Sequence, residues 1–126
     1  MILITLKTTL RMINKWGIYR ANLDPVIGSE QGKTRPVLII SENEINQVIN
    51  TVNVIPITSR KLGRNLYPNE ALLPKNVFGL PNESILLCHQ IRTLDKKRIS
   101  LEYGSVMDSK LQDEINNALC FQLGIE

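Results

Sequence analysis

Three polar positions beside apolar runs carry the side chains best suited to chemistry on a phosphate group. Arg35 precedes the run PVLIIS, and Thr58 ends the run TVNVIPIT. His89, the single histidine of the chain, follows the run SILLC. An arginine stabilises charge on phosphoryl oxygens, a hydroxyl orients them, and a histidine moves protons near neutral pH. These residue types indicate an anion-binding site equipped for phosphodiester chemistry.

Each of the three residues also has an ordinary structural explanation. Arg35 before a strand suits a surface ion pair, and Thr58 at a strand end suits a turn or a cap. His89 suits a histidine that is hydrogen-bonded within a strand. From the residues alone, the prediction stops at a small β-rich domain that binds an anion.

Other catalytic designs leave recognisable patterns that this sequence does not contain. With one histidine there is no histidine-pair metal site, and no Cys-x-x-Cys or clustered acid spacing replaces it. There is no Walker loop and no Gly-x-Gly-x-x-Gly motif; a Ser-His-Asp triad stays open, although no nucleophile elbow is visible. We therefore expect any catalysis to use no metal and no cofactor. An internal nucleophile is then the simplest route, and RNA supplies one in its 2′-hydroxyl.

The composition is that of one folded domain: 126 residues, 43% hydrophobic and 21% charged. The amino end, MILITLKTTLRMINK, has no basic n-region, and Lys7 interrupts its apolar run, which argues against a signal peptide. No apolar window is long enough for a membrane span. A cytoplasmic protein is expected, with residues 1–14 as a candidate N-terminal extension. Cys88 and Cys120 are expected to be free thiols.

Charge is distributed unevenly along the chain. Residues 1–64 hold nine Lys/Arg and four Asp/Glu, a net charge of +5, whereas residues 65–126 hold six and eight, a net charge of −2. A basic half suits a polyanionic partner such as nucleic acid. Chance asymmetry in a solvated surface would give the same numbers, so charge alone does not decide.

Apolar periodicity predicts short strands followed by one helix. The predicted strand segments are 16–23, 36–41, 51–58, 70–73, 84–92 and 97–104. The segment 16–23 is expected to be half-buried, and the segment 36–41 is expected to be central and fully buried. Pro56 restricts its strand to an edge, an end or a bulge. A capping box at Ser41 predicts one helical turn, and another at Ser109 begins an amphipathic C-terminal helix that ends at Gly124. The expected fold is mainly β, a small barrel or rolled sheet of antiparallel strands with short helices.

The ordered motifs resemble the MazF/PemK (Kid) family of toxins from bacterial type II toxin–antitoxin systems. The similar segments are WGIYRANLDPVIGSEQGKTRPVLIIS, NTVNVIPITS and ESILLCHQIRTLDKKRI, which cover about residues 15–123. The resemblance implies an SH3-like barrel, a single domain over residues 1–126, and assembly as a homodimer.

For function, the resemblance implies a metal-independent, sequence-specific endoribonuclease. Such an enzyme cleaves single-stranded RNA by 2′-hydroxyl attack and leaves a 2′,3′-cyclic phosphate and a 5′-hydroxyl. The resemblance also implies a cognate antitoxin whose acidic, extended segment occupies the RNA groove, in a complex that binds DNA.

By position, the resemblance places the catalytic arginine on Arg35 and the catalytic threonine on Thr58. Several relatives have a carboxylate, proposed as general base in one branch, where this chain has His89, so His89 is expected either to carry the proton or to stack on a base. Pro36 favours an extended backbone at Arg35, which would fix the arginine at the floor of the groove. The residues expected to contact RNA are Glu30, Gln31, Gly32, Lys33, Ser59, Arg60 and Gln90.

Two other functions are compatible with this fold. A binding module related to CcdB-type gyrase poisons would act through its carboxyl end, but the end FQLGIE lacks the terminal tryptophan motif of that branch. A homologue that binds an antitoxin without cutting RNA would keep the fold and lose the activity. Gyrase supercoiling and RNA cleavage assays distinguish both from a ribonuclease.

Overall fold

Seven strands, two helices and two 3₁₀ turns make up residues 12–126, the part of the chain that the computed structural model describes. The helices are α1 (Asn43–Asn46) and α2 (Ser109–Leu123), and the 3₁₀ turns are Cys88–Gln90 and Lys96–Arg98. The strands are β1 (Gly17–Asn22), β2 (Thr34–Ile39), β3 (Thr51–Ser59), β4 (Glu70–Leu73), β5 (Ser84–Leu87), β6 (Arg92–Asp95) and β7 (Ile99–Ser105). The expected mainly β fold with a C-terminal helix is confirmed. Most of the candidate extension, residues 1–11, lies outside the described residues.

The strands form one antiparallel sheet with β3 at its centre. The order is β4-β5-β3-β2-β1-β7, and β6 also pairs with β3. Pro56 of β3 pairs with Val37 of β2. On the other side of β3, β6 stops at Val54 and β5 starts at Ile57, so Pro56 falls between these two neighbours. A residue without a backbone N–H is tolerated in this central strand because no strand pairs with it on that side.

The outer strands β4 and β7 do not pair with each other, so strand pairing among the described residues does not close the expected barrel. The loop between β4 and β5 spans this gap. Gly79, at φ +73°, lies so close to β7 that a Cβ would stand 2.8 Å from the Cβ of Tyr103. A Cβ on Gly104 would stand 3.0 Å from the Cα of Phe78. These two glycines let loop and strand touch backbone to backbone; we call this contact of residues 78–79 with 103–104 the seam.

Apolar cores cover both faces of the sheet over most of its extent. In β1, Tyr19 and Ala21 are buried on one face, while Arg20 and Asn22 on the other face are exposed, so the prediction that β1 is half-buried is confirmed over these residues; only Ile18, at its start, is buried on the face of Arg20. The face of Ile18 packs against α2 in a core that includes Ile18, Leu38, Ile57, Leu86, Leu111, Ile115 and Ala118. The face of Tyr19 encloses a separate core that includes Tyr19, Val37, Ile39, Val52, Val54 and Leu94. This two-sided burial fixes the strand ends that position polar side chains.

Both helices are present, but neither is capped as predicted. The N-cap of α2 is Asp108, whose carboxylate accepts the backbone N–H of Lys110 at 3.0 Å, in place of Ser109. The N-cap of α1 is Glu42, and the Ser41 hydroxyl donates instead to the Asn46 side chain at 2.6 Å. Gly124 ends α2 at φ +68°, as predicted. The acidic residue beside each serine occupies the cap position, which a spacing rule does not detect.

The predicted strand 84–92 is wrong in its bounds, whereas the strand predicted over 97–104 is present as β7, shifted by up to two residues. β5 ends at Leu87, a 3₁₀ turn follows, and Arg92–Asp95 form the separate strand β6, which returns to pair with β3. The apolar run continues through buried Cys88 while the backbone turns, so periodicity gives no warning. The strands predicted over 36–41 and 70–73 are confirmed, and Cys88 and Cys120 are free thiols. No helix within residues 12–126 is long and apolar enough to cross a bilayer.

Candidate active site

Arg35 and Thr58 lie side by side at neighbouring strand ends. The β2–β3 register pairs Val37 with Pro56. Continuing this register by two residues brings Arg35 opposite Thr58 on the same face of the pleat. Both residues are half-buried, so their polar ends stand at the boundary between the core and solvent.

These two residues line a cavity of about 390 Å³, which we call the Arg35 cavity. Its wall combines cations, hydroxyls and an amide with a few apolar side chains, and it includes no carboxylate. A concave surface with cations and hydroxyl donors and no acid suits an anion such as a phosphate. The lining residues are Lys33, Thr34, Arg35, Pro36, Ile57, Thr58, Ser59, Leu80, Pro81, Asn82 and Ser84.

The guanidinium of Arg35 is held by the loop that precedes it. Its Nε donates to the backbone carbonyl of Gly32 at 2.9 Å. Among residues 12–126 its two terminal nitrogens have no hydrogen-bond or ion-pair partner. A guanidinium fixed through Nε presents its terminal N–H groups in a preset direction, the geometry that binds two oxygens of one phosphate.

The loop between β1 and β2 is folded around the carboxylate of Asp24. Asp24 accepts the backbone N–H of Lys33 at 2.8 Å, while the Leu23 amide donates to the Lys33 carbonyl at 2.8 Å. At Gly32 a Cβ would stand 2.6 Å from the Asp24 carboxylate and 2.8 Å from Val26. A larger residue at this position would displace the Asp24 carboxylate and the Val26 side chain, so glycine suits the close approach before Lys33 and Arg35.

Gln90, in the 3₁₀ turn after β5, holds the same loop in place. Its Oε1 accepts the backbone N–H of Gln31 at 3.1 Å, and its Nε2 donates to the Ser29 carbonyl at 3.1 Å. Arg92 also donates to Gln90 Oε1, at 3.3 Å. The side-chain Oε1 of Gln31 is buried without a hydrogen-bond partner among the described residues. Gln90 therefore positions the loop in this structure, and Gln31 holds an acceptor that a ligand donor or a loop rearrangement would satisfy.

His89 stands apart from the Arg35 cavity. It lies in the 3₁₀ turn after β5, its side chain is exposed, and it is absent from the lining of the cavity. Together with the stronger effect of Arg64, His89 contributes to lowering the pKa of the buried Glu70 carboxyl. The chain thus brings Arg35, Thr58, Ser59 and Lys33 together and leaves His89 at a different part of the surface.

Two more predicted RNA contacts are occupied within the protein. Arg60 forms an ion pair with Glu83 at 3.2 Å, and its Nε donates to the Arg64 carbonyl at 2.9 Å. The carboxylate of Glu30 accepts the backbone N–H of Ile27 at 2.7 Å. Both side chains stabilise loops beside the cavity in this structure.

A buried ion pair that the sequence did not reveal organises the loop after β3. Arg64 donates from both terminal nitrogens to Glu70, at 2.9 and 2.8 Å, and the Glu70 side chain is 1% exposed. Hydrogen bonds from Arg64 hold the pKa of the Glu70 carboxyl below its ordinary value, and His89 adds a smaller effect of the same sign. Burial raises the pKa of the neighbouring Cys88 thiol to about 11, so this thiol stays protonated and unreactive at neutral pH.

Sequence reasoning also missed Asn82 and Ser84, which line the Arg35 cavity. Ser84 pairs with Ser59 across β3 and β5, and its hydroxyl donates to the Asn82 carbonyl at 2.8 Å. The polar run before SILL was visible in the sequence, but its pairing with the end of β3 was not. Within residues 12–126 no group of three or more His, Cys, Asp and Glu side chains is arranged to hold a metal ion.

The chain therefore has an open antiparallel sheet with a basic cavity between two strand ends, bordered by a loop that positions its arginine. Residues 14–123 match the sequence model of a family described as PemK-like, MazF-like toxin of type II toxin-antitoxin system. The chain belongs to this family.

Solved structures of similar fold agree with this assignment. MazF from Deinococcus radiodurans is 28% identical, with 90% of this chain and 98% of that chain covered and a TM-score of 0.76. MazF in a MazE–MazF structure from the same organism is 26% identical, with 91% and 99% covered and a TM-score of 0.70. A mycobacterial endoribonuclease in complex with its cognate antitoxin is 22% identical, with 90% and 97% covered and a TM-score of 0.73, a likeness of fold.

Proposed function

We propose that this chain is the toxin of a toxin–antitoxin system and a metal-independent endoribonuclease that cuts single-stranded RNA. The observation that carries the proposal is the Arg35 cavity, in which Arg35, Lys33, Thr58 and Ser59 face one space without an opposing carboxylate. Similar structures include proteins named as endoribonucleases, and family membership supports the same activity here.

In the proposed reaction the scissile phosphate lies in the Arg35 cavity. The 2′-oxygen of the RNA attacks the phosphorus, the bond from phosphorus to the 5′-oxygen breaks, and the products are a 2′,3′-cyclic phosphate and a 5′-hydroxyl. The terminal N–H groups of Arg35 and the hydroxyl of Thr58 donate to the phosphoryl oxygens, whose negative charge grows in the transition state. The 2′-hydroxyl gives up one proton and the leaving 5′-oxygen takes one, so the step is balanced without water.

His89 is the proposed proton carrier, with stacking on a base as its other role. Because His89 does not line the Arg35 cavity, the first role requires a loop rearrangement on RNA binding that brings its imidazole to the 2′-oxygen or the leaving 5′-oxygen. The two roles differ in pH dependence, because a proton carrier changes kcat with its own ionisation, whereas a stacking ring changes KM. We expect His89→Asn to abolish one limb of the profile of kcat against pH between pH 5 and 9. A profile of unchanged shape with a raised KM would assign His89 to binding.

The proposed RNA surface includes the loop between β1 and β2, with Glu30, Gln31, Gly32 and Lys33 beside the cavity. Ser59, Arg60 and Gln90 complete the proposed contacts. Since Arg60 and Gln90 are engaged within the protein, RNA reaches them only by replacing those internal bonds. Loops carry such exchange more readily than strands do.

We further propose a single domain over residues 1–126 that acts in the cytoplasm as a homodimer. The proposed protein partner is a cognate antitoxin, whose acidic extended segment would occupy the same basic surface as RNA and whose complex with the toxin would bind DNA. Antitoxin complexes among the similar structures support this partner. Sedimentation at micromolar concentration tests the dimer, and a species of only 14.3 kDa would contradict it.

The decisive experiment is to incubate purified protein with mixed-sequence single-stranded RNA in EDTA and to map the fragment ends. Cuts at one short motif with cyclic phosphate and 5′-hydroxyl ends are expected. Arg35→Ala should remove these cuts, while Lys110→Ala, which removes an exposed lysine on α2, serves as the matched control. Intact RNA with a folded wild-type protein would contradict the proposal.

A further inference from the structure

A second concave surface adjoins the Arg35 cavity and is composed entirely of polar residues. It has a volume of about 570 Å³, and we call it the Arg20 groove. None of the residues assigned above to catalysis or RNA contact lines it. Its lining residues are Arg20, Asn22, Thr34, Asp95, Lys97, Arg98 and Ser100.

The groove and the cavity are continuous across β1 and β2. Thr34 lines both of them. In the β1–β2 register Asn22 pairs with Thr34, and Arg20 pairs with Pro36, which lines the Arg35 cavity. Cross-strand neighbours lie about 5 Å apart, so Arg20 stands one strand away from the cavity wall. A chain that leaves the cavity over Thr34 therefore enters the groove directly.

The two surfaces together concentrate positive charge. They are lined by five Lys/Arg, two in the cavity and three in the groove, and by one carboxylate, Asp95. The whole chain has 15 Lys/Arg and 12 Asp/Glu, so acids are depleted here about fourfold relative to the cations. One carboxylate oxygen of Asp95 is already hydrogen-bonded within the protein, because it accepts the backbone N–H of Lys97 at 2.8 Å.

The cations of this continuous surface are not neutralised within the described residues. Ion pairs occur elsewhere, as in Arg60–Glu83 and Arg64–Glu70, and none involves a cation of the cavity or the groove. Arg98 donates to the backbone carbonyls of Asn22 and Asp24, so it fixes the start of the loop. Arg20 and Lys97 are exposed, and their side chains have no hydrogen-bond or ion-pair partner among residues 12–126.

We propose that Arg20 and Lys97 bind phosphates of the RNA strand that flank the cleaved bond, so that the groove extends the substrate site. This inference rests on the proposed function. The groove has no apolar or aromatic lining residue to hold a peptide anchor or to stack a base. Cations with hydroxyl and amide groups suit the sugar–phosphate backbone, so the contact is independent of base sequence.

The expected effect follows from counterion release. Each phosphate contact on a single strand contributes about 0.7 to the slope of log K against log salt, so losing two contacts lowers the slope by about 1.4. At 0.1 M monovalent salt this corresponds to a roughly 25-fold loss of affinity. The probe is a 20-nucleotide RNA centred on the mapped cleavage motif, with a 2′-deoxy nucleotide at the cut, titrated by fluorescence anisotropy from 50 to 400 mM salt.

The test variant is Arg20→Ala with Lys97→Ala, and the matched control is Lys75→Ala with Lys110→Ala, which removes the same charge from two exposed positions elsewhere. The test variant should lose affinity and slope for the long RNA. Its kcat/KM for long substrate relative to a six-nucleotide substrate should also fall toward one. The control should keep the wild-type slope and ratio, and melting curves check that both variants are folded.

The outcomes separate this inference from the proposed function. If the wild type cuts RNA and the test variant keeps the wild-type salt slope and the wild-type kcat/KM ratio, the extended site is overturned and the proposed function stands. A variant that binds RNA normally but loses affinity for a glutamate-rich 20-residue peptide makes the groove a protein-docking surface and overturns the inference as well. A folded wild type that neither binds nor cuts RNA refutes the proposed function, and this inference falls with it.

Discussion

Replacing Arg35 with lysine separates charge from geometry in the proposed site. Lysine keeps the positive charge but has no Nε to donate to the Gly32 carbonyl, and it lacks the planar pair of terminal donors. Loss of one donor to a growing oxyanion costs about 10²- to 10³-fold in kcat. We therefore expect Arg35→Lys to lower kcat about 100-fold. Arg35→Ala also removes the charge and should cost about 10³-fold or more.

The same substitutions have a small, calculable effect on stability. The tether to Gly32 is one half-buried hydrogen bond, worth about 1 kcal/mol. With an unfolding entropy of about 2.1 cal/mol/K per residue, this lowers the Tm of a chain of 126 residues by about 4 °C. A much larger fall in Tm would mean that lost activity reports unfolding.

Single-turnover cleavage of a labelled RNA measures kcat, and differential scanning fluorimetry measures Tm on the same preparations. If the Arg35→Lys variant cleaves RNA at the wild-type rate, charge alone suffices and the role given to the Nε hydrogen bond is refuted. If the Arg35→Ala variant cleaves RNA at the wild-type rate, Arg35 has no role in the reaction. Lys110→Ala is the control for a cation removed from elsewhere on the surface.

Three further predictions test the loops and the fold. Arg64→Ala leaves the buried Glu70 carboxylate without its partner and should lower the urea midpoint of unfolding at pH 7. Because the pair lowers the pKa of Glu70, its stabilising contribution is complete above the ordinary pKa of about 4.3 and is lost in more acidic solution. Urea titrations should therefore show the difference from wild type narrowing below about pH 4. Gln90→Ala should raise hydrogen exchange at Gln31 about 30-fold, because two loop hydrogen bonds of about 1 kcal/mol each are lost, and unchanged exchange against a Gln47→Ala control would contradict the fastening role. Gly79→Ala should destabilise the protein by about 1–3 kcal/mol more than Gly63→Ala. Both glycines have positive φ, but a Cβ meets Tyr103 only at Gly79, so equal unfolding free energies would remove the steric role of the seam.

Local patterns predicted the elements whose burial is simple. The buried run of β2 and the helical spacing of Leu111, Ile115 and Ala118 both gave correct elements, because their apolar residues face one environment along the whole element. The segment 84–92 failed because Cys88 is as buried as the strand before it although the backbone turns there. Pro56 was expected at an edge, an end or a bulge, but it lies in the central strand β3. It is tolerated there because it falls in the gap between β6 and β5, and this gap arises from tertiary structure that the local sequence does not show.

In the candidate site, position along a strand accounts for the residues that lie together. Arg35 precedes one apolar run and Thr58 ends another, and antiparallel pairing of the two runs brings these residues together. The contacts of Gln90 with Ser29 and Gln31 join residues 61 and 59 positions apart, and no local signal encodes them. The placement of His89 away from the cavity likewise depends on the turn after β5. The Arg64–Glu70 pair follows from loop geometry, and a spacing of six residues does not specify it.

The seam should separate more easily than the hydrogen-bonded pairs of strands in the sheet. Every other junction between adjacent strands must break a ladder of backbone hydrogen bonds to separate, whereas residues 78–79 and 103–104 are held by close contact without backbone pairing. Thermal fluctuations should therefore part the sheet first at this line, exposing Phe78 and Tyr103 while the ladders around β3 stay intact. The sheet can therefore open transiently between the β4–β5 loop and β7, while its central strands keep their register.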